Sequence, residues 1–367
     1  MIDKRTILYL LLISMFLLSM MTLMISADTT EKTSAKAFAL YNPDTNTFLA
    51  GKNLDLRLPM ASTTKILTAL ISIEELDFDE VITVPEEAVG IEGSSVYLTA
   101  GDQLTVRDLV YSVLLQSAND ASNVLALRIG NTIEGFSQIM NARASLIGAE
   151  NSNFENPHGL DSAEHYTTAK DLALISAEAM KNPTFRKIVS TYKYSFSIGD
   201  KSRVLINHNK LLKQYDSCIG IKTGYTKKCG RCLVSAAKKD DITLIAVTLS
   251  DPNDWKDHQN LLNLGFDMLE STDLCSLISI PDSLPVISGN KNELAIGINE
   301  TDRTVIMLKN AEQIKYDLKL PQYITKEIRQ GDVIGQITLY LDKETKTIDV
   351  IALESVKIKK HKLSLFS

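Results

Sequence analysis

The stretch Ser62-Thr63-Thr64-Lys65 opens a run of apolar residues, Ile66 to Ile71, and Pro59 stands just before it. Proline favours the first turn of a helix, so we predict that a buried helix begins here. Residues three apart on a helix lie on the same face, one turn above the other. Ser62 and Lys65 are therefore predicted to place a hydroxyl beside an amine.

Three motifs in a fixed order select Ser62 among several candidates. The sequence contains four Ser-x-x-Lys motifs, which begin at Ser62, Ser190, Ser235 and Ser288. Only the first is followed in turn by Ser117-Ala118-Asn119 and Lys222-Thr223-Gly224. Together these motifs supply a nucleophile, two amines, a second hydroxyl, an amide and a glycine-tipped strand, which an acyl-transferring serine enzyme needs.

A lysine that acts as a base must be uncharged. Its ordinary pKa is about 10.4, so the site has to lower the pKa of Lys65. Burial among apolar neighbours lowers it, and so does a second cation, for which Lys222 is the candidate. We therefore predict that Lys65 is buried and lies near Lys222.

The other two motifs are predicted to complete one cleft. Ser117 and Asn119 follow one apolar helical stretch and precede another, so they are predicted to lie in a tight turn between helices. Ser117 is then a candidate proton relay, and the Asn119 amide a candidate contact for a substrate carbonyl. Lys222-Thr223-Gly224 ends the β-like segment Ile219-Gly220-Ile221, where an edge strand would pair with an extended peptide. Gly224 allows close approach, while Lys222 and Thr223 suit a carboxylate.

At this point the sequence resembles the low-molecular-mass penicillin-binding proteins, the serine-type D-alanyl-D-alanine carboxypeptidases of peptidase family S11. The resemblance runs from about Phe38 to Leu269 and includes further matching stretches. These are Asn156-Pro157-His158-Gly159-Leu160-Asp161, His165 to Leu172, and Asn207-His208-Asn209-Lys210-Leu211-Leu212. Some relatives place an arginine near the last stretch to hold the substrate carboxylate, and here the nearest candidate is His208.

The resemblance implies a mechanism and its partners. Ser62 would attack the penultimate D-alanine of peptidoglycan stem peptides, with Lys65 as general base and Ser117 or Lys65 protonating the departing amine. The oxyanion would lie between the backbone N–H groups of Ser62 and Tyr225. Lys222 and Thr223 would receive the terminal carboxylate, and β-lactam antibiotics would acylate Ser62. No cofactor or metal is expected.

Strands at both ends of a helical middle predict an α+β fold, in which the terminal segments share one antiparallel sheet. The predicted strands are 37–41, 48–52, 233–237 and 242–249, with helices over roughly 63–180 and 257–269. After Cys275 the composition shifts to short β-rich runs at 303–308, 333–340 and 347–352. We thus expect a leader at 1–27, a catalytic domain at 35–270, a small all-β domain at 276–360, and a short basic tail at 361–367.

The net charge and the N-terminal sequence indicate where the protein works and which class of partner is excluded. The net charge of −6 argues against a nucleic-acid partner. The apolar run from Ile7 to Ile25 follows Lys4 and Arg5 and ends at Ser26-Ala27, which is typical of a secretory signal, with an uncleaved anchor as the alternative. We therefore expect an enzyme that works outside the cytoplasm at the cell wall. The basic tail is a candidate for peripheral membrane contact.

Four cysteines, Cys218, Cys229, Cys232 and Cys275, allow three fully paired connectivities. Cys229-Gly230-Arg231-Cys232 has no second Cys-x-x-Cys or paired histidines, so we interpret these cysteines as structural or incidental rather than as a metal site.

Two other functions fit the same motifs. A class A β-lactamase also needs a loop carboxylate to activate the deacylating water. Between Asn119 and Lys222 no segment matches that loop's usual Glu-x-x-x-Asn with a following Leu-Asn pattern near the expected distance. Slow release of penicillin is therefore predicted. A penicillin-binding sensor or scaffold that acylates without turning over peptide has the same groups, so the sequence leaves it open.

Overall fold

The computed structural model describes residues 33–309, 314–341 and 344–359, and the chain divides into two units between Phe266 and Asp267. The predicted leader at 1–27 and the basic tail at 361–367 lie outside the described residues. Within the described chain, no helix is both long and apolar enough to cross a membrane.

The first unit is organised by an antiparallel sheet. Strands of the unit are β1 Ala37–Asn42, β2 Thr47–Lys52, β3 Val81–Thr83, β4 Gln103–Thr105, β5 Lys193–Ile198, β6 Lys201–Ile206, β7 Cys218–Thr226, β8 Gly230–Lys239 and β9 Ile242–Leu249. Five of them form one sheet in the order β2-β1-β9-β8-β7. Ala37 of β1 lies opposite Leu249 of β9, so both ends of the unit share this sheet, as predicted.

Helices fill the middle of the first unit. They are α1 Lys65–Glu75, α2 Val106–Leu115, α3 Asn119–Gly130, α4 Ile133–Ile147, α5 Ala169–Lys181, α6 Pro183–Ser190, α7 Leu211–Gln214 and, after the sheet, α8 Asp254–Met268. The predicted helical middle is interrupted by the β3–β4 hairpin. The α+β fold is therefore confirmed, with more interruptions than the sequence pattern indicated.

Capping residues set several helix starts. Thr105 accepts a hydrogen bond from the Asp108 backbone N–H at 3.1 Å, and Thr168 accepts one from Asp171 at 3.0 Å. Asn182 caps α6, whose first residue is Pro183, a position where proline lacks only a donor that the helix would leave unpaired. These polar residues at the ends direct the apolar faces between them into the core.

The core of the first unit lies between the sheet and the helices. At most 1% of the surface is exposed for each of four of its side chains, Phe38, Ile66, Leu70 and Val247. Burial of such side chains contributes about 1.5–3 kcal/mol each, which makes this packing the main support of the site. Because α1 is buried along the face that carries Lys65, the catalytic candidates are held on a rigid element.

The second unit is a small β domain with its own core. Its elements are β10 Leu269–Asp273, α9 Leu274–Leu277, β11 Ser283–Pro285, β12 Glu293–Ile298, β13 Thr304–Leu308, β14 Lys315–Lys319, β15 Val333–Leu341 and β16 Glu344–Ala352. The larger sheet has the order β11-β12-β16-β15-β14, and β10 pairs with β13. The three strands predicted from the sequence correspond to β13, β15 and β16.

Candidate active site

Ser62 lies in a 3-10 turn, Ala61–Thr64, that leads directly into α1. Ser62 is half-buried, whereas Lys65, the first residue of α1, is completely buried. The Lys65 Nζ lies 3.1 Å from the Ser62 Oγ. The structure therefore places the amine beside the hydroxyl, as the three-residue spacing predicts.

Two carbonyl groups fix the Lys65 amine. Its Nζ lies 2.6 Å from the Asn119 Oδ1 and 2.6 Å from the backbone oxygen of His158. The Asn119 Nδ2 donates to the backbone oxygen of Glu92 at 2.5 Å, and this contact fixes which end of the carboxamide faces the lysine. Both groups that flank the amine are thus hydrogen-bond acceptors only.

Burial and a neighbouring charge both favour the neutral form of the Lys65 amine. Removal from water lowers the pKa of Lys65 well below its usual value, and the nearby charge of Lys222 lowers it further. Asp120 acts weakly in the opposite direction. Burial alone lowers the pKa of Lys222 to about 7.

Ser117 lies in the turn between α2 and α3, where its φ of 62° falls in the left-handed region. The turn is closed by a hydrogen bond from the Ala118 N–H to the Ser112 carbonyl at 3.1 Å. The predicted inter-helix turn is therefore present, and Ser117 lines the same cleft as Ser62. A non-glycine residue held in this conformation is a feature that functional turns often show.

Lys222, Thr223 and Gly224 lie inside β7 rather than at its end, since the strand continues to Thr226. β7 is an edge strand of the sheet, as the added-strand interpretation requires. A Cβ on Gly224 would come within 3.1 Å of the Met60 oxygen and of the backbone nitrogens of Ser62 and Thr63. Glycine at this position thus allows the strand to lie directly against the turn Ala61–Thr64, which carries the candidate nucleophile Ser62 and is called the nucleophile turn below.

The cleft has a volume of about 330 Å³. Its lining includes five of the predicted residues, Ser62, Ser117, Thr223, Gly224 and Tyr225. Tyr225 is 65% exposed, so its side chain lies at the rim. Lys65, Lys222 and Asn119 are buried behind the lining.

Several cleft residues were not singled out by the sequence motifs. They are Ser94, Lys210, Arg231, Asp254 and Trp255. The Arg231 Nη2 forms an ion pair with the Asp254 Oδ1 at 2.9 Å, and the Arg231 guanidinium lies 5.7 Å from the centre of the Trp255 ring. His208 also lines the cleft, and burial lowers its pKa, with a further contribution from the charge of Lys222.

A second cavity of about 490 Å³ shares His208 and Lys210 with the cleft. Tyr192 and Lys213 also line it, and the Lys213 Nζ lies 3.8 Å from the centre of the Tyr192 ring. The mouth of the cleft therefore carries several cationic side chains, although the chain as a whole is acidic.

The matching stretch around His158 supports α1. The Asn156 Oδ1 accepts hydrogen bonds from the N–H groups of His158 and Gly159, at 3.3 and 2.7 Å, and the Thr68 hydroxyl donates to the Pro157 oxygen at 2.6 Å. Gly159 has a φ of 85°, and a Cβ there would meet the Ala61 oxygen. His158 therefore contributes its backbone carbonyl to the site. Burial lowers the pKa of the His158 imidazole to about 3.

His165 braces the nucleophile turn. The Glu155 N–H donates to the His165 Nδ1 at 3.0 Å, so the Nε2 carries the proton and donates to the Thr64 Oγ1 at 2.8 Å. The Thr64 hydroxyl in turn donates to the Ala61 oxygen at 2.8 Å. Burial lowers the pKa of His165 to about 4, which keeps the imidazole neutral at neutral pH, and the Glu155 N–H then selects this tautomer.

The described residues contain no group of three or more His, Cys, Asp or Glu side chains arranged to hold a metal ion. A half-buried serine, a buried amine and an edge strand on an α+β sheet define the class of serine–lysine acyl-transfer proteins.

Comparison with known proteins identifies the family. The family model described as "D-alanyl-D-alanine carboxypeptidase" matches residues 24–253, and that of the "Penicillin-binding protein 5, C-terminal domain" matches residues 278–358. The chain belongs to the D-alanyl-D-alanine carboxypeptidase family, which confirms the resemblance seen in the sequence.

Relatives cover most of the chain. It is 31% identical to the D-alanyl-D-alanine carboxypeptidase DacF of Bacillus subtilis, over 84% of this chain and 82% of DacF. It is 31% identical to DacC of Escherichia coli, over 88% of this chain and 84% of DacC.

Solved structures of penicillin-binding proteins and DD-peptidases are similar to this chain in fold. Penicillin-binding protein 5 of Haemophilus influenzae has a TM-score of 0.66 and 27% identity, and the match covers 89% of this chain and 98% of that one. The Streptomyces K15 DD-transpeptidase has a TM-score of 0.61 and 32% identity, over 64% of this chain and 97% of that one.

Proposed function

We propose that this protein is a serine-type D-Ala-D-Ala carboxypeptidase that removes the terminal D-alanine from peptidoglycan stem peptides through an acyl-enzyme on Ser62. The observation that carries the proposal is the set of contacts around the Lys65 amine. Family membership supports the same reaction class.

The contacts of Lys65 suit a general base. A neutral amine has two N–H donors and one lone pair, and the carbonyl oxygens of Asn119 and His158 accept both N–H groups. The lone pair is then left for the Ser62 hydroxyl at 3.1 Å. Lys65 therefore takes the Ser62 proton as the Oγ attacks the substrate carbonyl.

The remaining steps are the departure of D-alanine and the hydrolysis of the Ser62 ester, and Lys65 transfers a proton in both. The C–N bond of the tetrahedral intermediate breaks, and the departing D-alanine amine receives the proton from Lys65, directly or through Ser117. Water then attacks the Ser62 ester as Lys65 takes its proton. The C–Oγ bond breaks, the Ser62 Oγ receives that proton back from Lys65, and the shortened peptide leaves with a new carboxylate. In both steps the oxyanion accepts hydrogen bonds from the N–H groups of Ser62 and Tyr225, since Gly224 lies against the Ser62 backbone.

Cationic groups hold the substrate carboxylate in this proposal. Lys222 and Thr223 receive it, and Arg231 and Lys210 at the cleft attract it from solution. His208 carries little charge at neutral pH because its pKa is lowered, so we assign the electrostatic attraction to the lysines and Arg231. Asn119 positions Lys65 through its Oδ1, and one N–H of its Nδ2 is held by the Glu92 oxygen. The second N–H is the one that would donate to a substrate carbonyl, as the motif predicts.

The test is release of D-alanine from a pentapeptide that ends in D-Ala-D-Ala. We expect Ser62→Ala to lose at least about a thousandfold in rate, because the nucleophile is gone. The matched control is Ser190→Ala, which alters a second Ser-x-x-Lys at an exposed position and should retain the parent rate. No release by the parent protein would overturn the proposal and favour a sensor or scaffold.

Penicillin separates this function from that of a β-lactamase. Among the described residues that line the cleft, Asp254 is the one carboxylate, and it is paired with Arg231. Since no described lining residue supplies the free carboxylate that a class A β-lactamase uses for its deacylating water, we expect a labelled penicillin to stay bound to the peptide that contains Ser62. Rapid turnover without a lasting adduct would contradict this expectation. We further propose that the enzyme acts outside the cytoplasm, where stem peptides and β-lactams meet it.

A further inference from the structure

The motif Cys229-Gly230-Arg231-Cys232 has no part in the proposed reaction, yet it lies at the end of the hairpin that carries the active-site strand. Thr226 of β7 pairs with Gly230 of β8, so Cys229 belongs to the connecting turn. Gly230 has a φ of 73°, which lets the chain turn back between the two cysteines.

The two thiols are in contact. The Cys229 Sγ lies 3.4 Å from the Cys232 Sγ, and both residues are buried. The Cys229 backbone N–H donates to the Thr226 Oγ1 at 3.0 Å, and the Thr226 hydroxyl donates to the Asp161 Oδ1 at 3.0 Å. The turn is therefore fixed in a conformation that keeps the two sulfur atoms together.

The other cysteines have different surroundings. The Cys218 thiol contacts the Gly220 oxygen at 3.3 Å and the Asn209 Nδ2 at 3.9 Å, and burial raises its pKa to about 11. Cys275 is exposed and belongs to the second unit. A metal ion would need further ligands beside the two sulfur atoms, and the described residues offer no such group.

We propose that Cys229 and Cys232 form a disulfide that closes the end of the β7–β8 hairpin. The oxidant is a second disulfide, of the low-molecular-mass or protein class. One thiolate attacks it and releases the first thiol, and the other cysteine then displaces the second thiol from the mixed disulfide. The two cysteines lose two electrons and two protons, and the oxidant is reduced to two thiols.

The local chemistry favours Cys229 as the first to react. Its hydrogen bond with Cys232 lowers the pKa of the Cys229 thiol, and hydrogen bonds from Thr226 lower it further. Cys232 has the opposite shift, since the same contact and its burial raise its pKa. The more acidic thiol supplies the attacking thiolate, and it is the one in the turn.

The bond would lie next to the active site. Cys232 is opposite Gly224 in the strand register, and its Sγ lies 4.0 Å from the Pro59 oxygen, just before the nucleophile turn. We expect the disulfide to restrain the end of the β7–β8 hairpin. Because the loop that it closes is short, we expect it to raise the melting temperature by only about 3 °C relative to the reduced protein.

Trypsin gives a direct test, because it cleaves after Lys228, Arg231 and Lys238. The full chain is incubated with oxidised glutathione, alkylated while denatured, digested without reductant and analysed by mass spectrometry. We expect the peptides 229–231 and 232–238 to appear joined and to separate after reduction. Cys218 and Cys275 should both be alkylated.

Variants keep the proposal open to refutation. Cys229→Ser and Cys232→Ser should each lose the joined peptide and the reductant-sensitive shift in melting temperature, whereas Cys275→Ser should keep both. Alkylation of Cys229 and Cys232 to the same extent as Cys275, or a glutathione adduct in place of the joined peptide, would overturn the proposal. The readout is independent of D-alanine release, so the proposed enzymatic function stands or falls separately.

Discussion

At the residue scale, the decisive feature is how the hydrogen bonds of Lys65 are distributed. The sequence motifs predicted Ser62 and Lys65 because their spacing on a helix has a direct geometric meaning. The second acceptor, the carbonyl of His158, could not be predicted, because every residue has a carbonyl and no residue type marks it. The same limit applied to the Glu92 oxygen that accepts from the Asn119 Nδ2, while the contact of Asn119 with a substrate carbonyl stays a prediction.

Changing Asn119 to aspartate should make Lys65 a poorer base. A carboxylate 2.6 Å from the amine favours its charged form and raises the pKa of Lys65. We expect acylation by penicillin at pH 7 to fall by about tenfold or more and to recover partly at higher pH. The pH profile of acylation by Asn119→Asp measures this, with Asn131→Asp, at an exposed helix end, as the control. A parallel loss at every pH would indicate a structural defect instead.

The dependence of kcat/KM on pH should be bell-shaped. The rate rises as pH passes upward through the lowered pKa of Lys65, because the base must be neutral. It falls as pH passes through about 7, because Lys222 loses the charge that attracts the substrate carboxylate. A peptide with an amide in place of that carboxylate should lack the falling limb. An identical falling limb for both peptides would remove Lys222 from carboxylate binding.

At the scale of elements, the edge strand β7 packs directly against the turn that contains Ser62. The sequence pattern predicted that Lys222-Thr223-Gly224 lies at the end of a strand, because glycine is typical of positions where a strand ends. In the structure the strand continues, since glycine is needed where its backbone meets that of Ser62. The β3–β4 hairpin was missed for a different reason, because its strands have three residues each and show too little alternation to be recognised.

Adding one methyl group at Gly224 should disturb the nucleophile more than the fold. A Cβ there meets three backbone atoms at 3.1 Å, and backbone cannot move aside as a side chain would. We expect Gly224→Ala to slow penicillin acylation by about tenfold, with a melting temperature lowered by only a few degrees. Acylation kinetics and thermal melting measure the two effects. Unchanged acylation would show that this close approach is not required.

At the scale of the whole molecule, each of the two units has a large core of its own among the described residues. The first includes residues from Ala37 to Leu249, and the second includes residues from Leu274 to Val356. The sequence predicted a catalytic domain that ends at 270 and a second domain that begins at 276, and the structure divides the chain between Phe266 and Asp267. The residues from Leu269 to Asp273 belong to the second unit because β10 pairs with β13, a long-range contact that the sequence pattern does not reveal.

Because the first core is complete without the second, the catalytic unit should work alone. We expect a chain truncated after Met268, the last residue of α8, to keep its rate of penicillin acylation within about twofold. Loss of acylation together with folding of the truncated chain, as judged by circular dichroism, would contradict the prediction.

The pairing of Ala37 with Leu249 has a consequence for the order of folding. A growing chain contains Ser62 and Lys65 early, but β1 cannot join β9 until residue 249 has been made. Closing a loop of that length is slow, and native packing waits for it. In the proposed mechanism, a nascent polypeptide therefore carries the Ser62 hydroxyl without the pocket that activates it until residue 249 has been made, and we expect a β-lactam to react only after that point.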